Sequence, residues 1–200
     1  MTTPEPIFLG FRLAECSPTP VGWGGSPQTD HVTNPCNISG CVAGRQWSWE
    51  LNLNRANCFN TVAEAVAEGV DEFRPNPDPT YYWLCAYRAY PLIYGKEGTQ
   101  HLAPAQLFDP TLPPLPAEPD LREFTLLGYD VVEYVTHHKH QGKPFGCSPL
   151  FCNGMAELIP VNSYCLLPDP SMAEEVAARF ARKEPEPGPY IVVEVLRKFD

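Results

Sequence analysis

The sequence predicts an α+β fold built by internal duplication. Each copy holds a strand, a cysteine-bearing loop with a hairpin, a helix and a final strand. The two copies are expected to pair about a pseudo-two-fold axis, with the helices packed on an antiparallel or mixed sheet. Three observations support this reading. Residues 35–58 (PCNISGCVAGRQWSWELNLNRANC) and 146–165 (GCSPLFCNGMAELIPVNSYC) each carry two cysteines five positions apart, Cys36 and Cys41 or Cys147 and Cys152. A third cysteine, Cys58 or Cys165, follows after a polar, Asn-containing interval. The segments IFLGFRLAE (7–15) and TLLGYDVVE (125–133) align without a gap, each with a glycine in mid-strand. The segments TVAEAVAEGVDEF (61–73) and SMAEEVAARFARK (171–183) align in the same way.

The first strand of each copy alternates apolar and polar side chains over a short run, the period of a half-buried strand. Glycine weakens a strand unless a bulge or a close backbone approach uses it, so Gly10 and Gly128 point to one packing reason present twice. After Cys41, residues 46–54 alternate Trp47, Trp49, Leu51 and Leu53 with polar residues, predicting a longer hairpin arm in the first copy. The helices are predicted to start at Thr61 and Ser171, with Glu64 and Glu174 three residues on completing capping boxes. Val62, Val66, Val70 and Phe73 form the expected apolar stripe of the first helix, and Met172, Val176 and Phe180 that of the second. Proline-rich turns then lead into YYWLCAYRAY (81–90) and YIVVEVLRKF (190–199). The first of these is apolar almost throughout, as a central strand covered on both faces should be. In this register Arg88 lies over Arg197, and both are expected to pair with acidic neighbours, with anion binding as the alternative. The units are placed at 1–94 and 121–200, forming one compact domain, with a proline-rich linker over 95–120.

The net charge is −10, from 14 basic and 24 acidic residues. No segment is net basic, which disfavours a nucleic-acid backbone as partner. The N-terminus lacks the features of a signal peptide and no apolar run is long enough to span a membrane. A soluble, cytoplasmic protein is expected, with its eight cysteines mostly reduced.

Two chemistries fit the cysteines. Zinc would take Cys36, Cys41, Cys58 and His31 in the first copy, and Cys147, Cys152, Cys165 and His140 or His138 in the second, one Cys3His-like site per repeat. Those histidines stand at different distances from their cysteines, which argues against a duplicated site, and buried thiols that pack the hairpin are the simpler expectation. A cysteine-dependent enzyme would use Cys147 with His140 as base, since His137, His138 and His140 lie close by in sequence. No phosphate loop, serine-nucleophile elbow or His-Glu-x-x-His pattern occurs. The sequence therefore favours a non-enzymatic acidic interaction module, an inhibitor or immunity-type protein with a basic protein partner and no cofactor. Trp47 and Trp49 are its candidate contact residues. The zinc protein and the Cys147 enzyme are the alternatives.

Overall fold

A computed structural model describes residues 4–15, 17–18, 33–34, 38, 53–72, 82–103, 106–108, 110–135, 144–150, 159–182 and 188–199. The elements in chain order are β1 (Ile7–Glu15), β2 (Ser17–Pro18), β3 (Thr33–Asn34), α1 (Val62–Glu72), β4 (Tyr82–Ala89), β5 (Leu92–Gly95), β6 (Gly98–His101), β7 (Phe124–Glu133), α2 (Pro170–Phe180) and β8 (Tyr190–Lys198). The fold is α+β, with a six-stranded antiparallel sheet and a separate β2–β3 pair. Strand β8 is central. Strand β7 runs along one edge of it, from Phe124 opposite Lys198 to Glu133 opposite Tyr190. Along the other edge β4 comes first, then β5 through the Tyr94–Tyr190 pair, and β1 adds outside β4.

Both faces of β8 are covered, which is why its sequence is almost continuously apolar. Tyr190, Val192 and Leu196 face the helices. There α2 packs Ala173, Val176, Ala177 and Phe180 against Tyr129, Val131 and Val192, while Ala65 of α1 sits with Phe8, Phe11, Ala86 and Leu196. Ile191, Val193 and Val195 face the other way, into a core that the loops complete with Ile38, Ala56, Cys58, Leu107, Phe108, Phe145 and Leu166. The alternation follows from the two-residue period of a strand.

The two mid-strand glycines share a mechanism. Gly10 has φ +129° and Gly128 φ +149°, and at each the strand register shifts by one residue. A Cβ on Gly10 would lie 2.5 Å from Phe59 O, and one on Gly128 2.7 Å from Leu167 O. An asparagine brackets each bulge. Asn54 donates through Nδ2 to Leu9 O (2.8 Å) and accepts at Oδ1 from the N–H groups of Ala56 and Cys58 (2.9 and 3.2 Å). Asn162 donates to Leu127 O (2.8 Å) and accepts from the N–H groups of Tyr164 and Leu166 (2.9 and 3.1 Å). Phe11 and Phe59 exchange a pair of backbone hydrogen bonds, as do Tyr129 and Leu167. Across the sheet the glycines stand in one row, Gly10–Tyr87–Val195–Gly128.

This geometry corrects the sequence register. Asn57 and Cys165 take the same left-handed place (φ 62° and 55°), and Cys58 and Leu166 are the equivalent core residues. Cys58 and Cys165 therefore stand at different places relative to the two bulges. In the same register Ala89 lies over Arg197 and Leu196 over Arg88. The second helix is capped by Asp169, whose side chain accepts from Met172 N–H (2.9 Å), with Pro170 in the first turn; Ser171 is not the cap. The first helix keeps its expected capping box, with Glu64 N–H on Thr61 Oγ1 (3.1 Å) and Thr61 N–H on Glu64 Oε2 (3.0 Å). Asp169→Ala is expected to cost about 1 kcal/mol in thermal unfolding, and Ser171→Ala within about 0.5 kcal/mol. Equal losses at both positions would contradict the cap assignment.

One further expectation changes. Val66 is 42% exposed, because α1 seats Ala65 on the sheet and turns Val66 outward. The β5–β6 hairpin pairs Leu92–Gly95 with Gly98–His101, and Leu107 and Phe108 lie in the core. The hairpin arm expected over 46–54 lies outside the described residues up to residue 52, and Leu53 and Asn54 are not in a strand.

Candidate functional site

Most of the site residues expected from sequence lie outside the described residues: His31, Cys36, Cys41, Trp47, Trp49, His138, His140 and Cys152. Cys58, Cys147 and Cys165 are described, and the structure places them in different settings. Cys58 is buried in the core beside Ala56 and Cys85, with its Sγ 3.7 Å from Ala56 O. Burial pushes its thiol up to about 11, against a smaller opposing effect of the Arg12 guanidinium. Cys165 is also buried, and burial raises its thiol to about 11 as well. Both are weak nucleophiles at neutral pH, since the thiolate is the reactive form. Cys147 lies beside the end of β7, where its N–H reaches Glu133 Oε2 (3.3 Å) and its carbonyl accepts Glu133 N–H (2.8 Å). Among the described residues no three His, Cys, Asp or Glu side chains are grouped to hold a metal.

Three polar constellations emerge from the fold. The first lies on the helix face of the sheet. Glu194, 4% exposed, accepts from Arg88 Nε and Tyr90 Oη (2.6 and 2.7 Å), and Arg88 reaches Glu118 as well (3.3 Å). Both Glu194 oxygens are engaged, so the expected pairing of Arg88 is met by a strand neighbour. Burial and then the hydrogen bond to Glu194 push the Tyr90 phenol well above its ordinary value. A network so fully satisfied holds two strands together and leaves little for a ligand.

The second is Asp130 on the opposite face. It is fully buried, with Oδ1 accepting from Ser148 Oγ (2.7 Å), while Oδ2 has no partner among the described residues. Burial raises its carboxyl to about 7, against the Ser148 and Val131 hydrogen bonds. The equivalent place on β1 holds Arg12, also buried, whose Nε donates to Asn57 O (3.0 Å).

The third was not singled out as a site from sequence, and it is the most open. On the loop face near the end of β8, Arg197 stands opposite Cys85, and its neighbours on that face are Trp83 and Phe199. The guanidinium carbon lies 3.5 Å from the Trp83 ring centroid and 4.4 Å from that of Phe199. Tyr164 closes edge-on against Trp83, with ring centroids 5.9 Å apart. Phe199 is 44% exposed. No carboxylate among the described residues pairs with Arg197, in contrast to Arg88, Arg122 and Lys198. Aromatic faces replace the expected ion pair, because the two-residue period of β8 puts Arg197 on the face opposite Glu194. A signal existed in the period of β4 and β8, since Trp83, Arg197 and Phe199 share one strand parity, but only the pairing register brings them together.

Fold and site thus define an α+β protein with a twice-used asparagine-bracketed bulge and an aromatic shelf around an arginine. Comparisons with known protein families, with curated proteins and with solved structures return no match.

Proposed function

We propose that this protein is a non-enzymatic interaction module that binds another protein through the shelf of Trp83, Tyr164, Arg197 and Phe199. The carrying observation is the composition and exposure of that shelf. Binding energy at protein interfaces concentrates in Trp, Tyr and Arg side chains near the centre of a contact, and this one has all three with an exposed phenylalanine at its lip. The net charge of −10 favours a partner that is basic overall, as an acidic inhibitor or immunity-type protein would meet. To test this, the protein is immobilised and exposed to native-host extract, and the retained partner is then titrated against wild type and Phe199→Ala. One saturable partner, bound about thirtyfold more weakly by the variant, is expected for a contact of hot-spot size. Extracts that yield no saturable partner, or equal binding by the variant, would overturn the proposal.

We also infer that the chain arose by duplication of a β–loop–α–β unit, its two copies related by an axis near the Tyr87–Val195 pair. Support comes from the paired glycine bulges, the two asparagine brackets, and the helix caps at Thr61 and Asp169. Under that relation the shelf is a departure of one copy, because Ala89 holds the place of Arg197.

A further inference from the structure

Arg197 is a cation clamped in a plane. One face of its guanidinium lies over Trp83 and the side chain also meets Phe199, so movement out of that plane is restricted. Its Nε is buried and has no hydrogen-bond partner among the described residues. The terminal Nη1 and Nη2 make no hydrogen bond to the described residues and are not fully buried. Three other cations of this acidic chain have carboxylates, Arg88 with Glu194, Arg122 with Asp120 and Lys198 with Glu123, while Arg12 and Arg55 donate to backbone carbonyls. A guanidinium stacked against rings, with no counter-ion among the described residues, is a preorganised fork for an oxyanion. Stacking on rings keeps the charge and leaves the in-plane N–H donors available.

We propose that Arg197 recognises a carboxylate carried by a peptide segment of the partner protein, with an apolar side chain of that segment resting on the Trp83–Phe199–Tyr164 shelf. This deepens the interaction reading above and rests on it. The guanidinium fork suits carboxylate and phosphate alike, and a carboxylate is favoured because a −10 protein repels a doubly charged phosphate more strongly than a single charge. The apolar companion follows from the exposed Phe199 ring, which offers contact area beside the charge.

The test uses the full chain labelled with 15N and three probes: N-acetyl-Gly-Phe with a free C-terminal carboxylate, the same peptide as its amide, and inorganic phosphate. Signals of the Arg197 Nε–H and the Trp83 indole N–H are followed. Saturable shifts with the free carboxylate are expected at about millimolar concentration, and the amide should be about tenfold weaker. Arg197→Gln should lose the response, while Arg197→Lys keeps the charge but not the fork and should be intermediate. Thermal melts of both variants show whether each is folded, and Arg197→Lys retains the test if Arg197→Gln is not. Equal binding of acid and amide, stronger binding of phosphate, or an unchanged response in Arg197→Gln would each overturn the proposal. The two readings separate cleanly. A carboxylate bound at Arg197 with no protein captured from extract would count against the module alone. A captured partner indifferent to Arg197→Gln and Arg197→Lys would count against the carboxylate alone.

Discussion

Alanine in place of Gly128 is expected to destabilise the protein by about 3 kcal/mol or more, and alanine in place of Gly10 by a similar amount. Two costs act together at each position. The backbone angles, φ +149° and +129°, lie where side chains other than glycine's are strained. The added Cβ would also stand 2.7 Å from Leu167 O or 2.5 Å from Phe59 O. Those oxygens are backbone atoms that accept from Tyr129 and Phe11, so they cannot move aside without breaking the bridge that holds the bulge. Chemical denaturation of the two variants is the measurement. A cost below about 0.5 kcal/mol at either site, the range of ordinary surface changes, would mean that the bulge is not held as described. Similar large costs at both would agree with one device used twice.

Asparagine in place of Asp130 is expected to change how stability depends on pH. Burial disfavours the charge and pushes the folded-state carboxyl up to about 7, well above the ordinary carboxylate range. A raised acid pKa means that the folded protein binds this proton more tightly than the unfolded chain. Its contribution is then fully present below the unfolded value and fades as pH rises from about 4 to about 7. Above that range the ionised group is a burden on the order of 4 kcal/mol, from the usual free energy per pKa unit. Asp130→Asn should therefore flatten the profile and be more stable than wild type at pH 8, with little difference or a small loss at pH 4. Ser148 can still donate to the amide oxygen, so the hydrogen bond survives the change. Parallel profiles for wild type and variant between pH 4 and 8 would show that Asp130 does not titrate in this range.

Much of the architecture could be read from periodicity. The strands at 7–15, 124–133, 82–89 and 190–198 fall within a residue or so of their expected bounds, because a two-residue alternation between covered faces is a local signal. Both helices were equally legible, yet one cap was misplaced by two residues. Asp169 and Ser171 are each good caps by chemistry, and only the seating of Ala173, Val176 and Ala177 on the sheet selects the earlier start. The cysteine spacing misled in a similar way. Cys58 and Cys165 match by residue type, but the bracket is set by Asn54 and Asn162, whose role depends on carbonyls of Leu9 and Leu127 far away in sequence.

By itself, then, the sequence determined the class of the fold, the order of its four long strands and two helices, its acidity and the need for glycine in two strands. All are local or summed properties of the chain. The tertiary structure decided the partners. It gave Arg88 the carboxylate of Glu194 from a strand more than a hundred residues away, and it gave Arg197 the rings of Trp83 and Phe199. Two arginines of the same chemistry met opposite fates because strand register assigns each side chain to one face of the sheet. That assignment depends on pairing between distant segments, which no local pattern encodes.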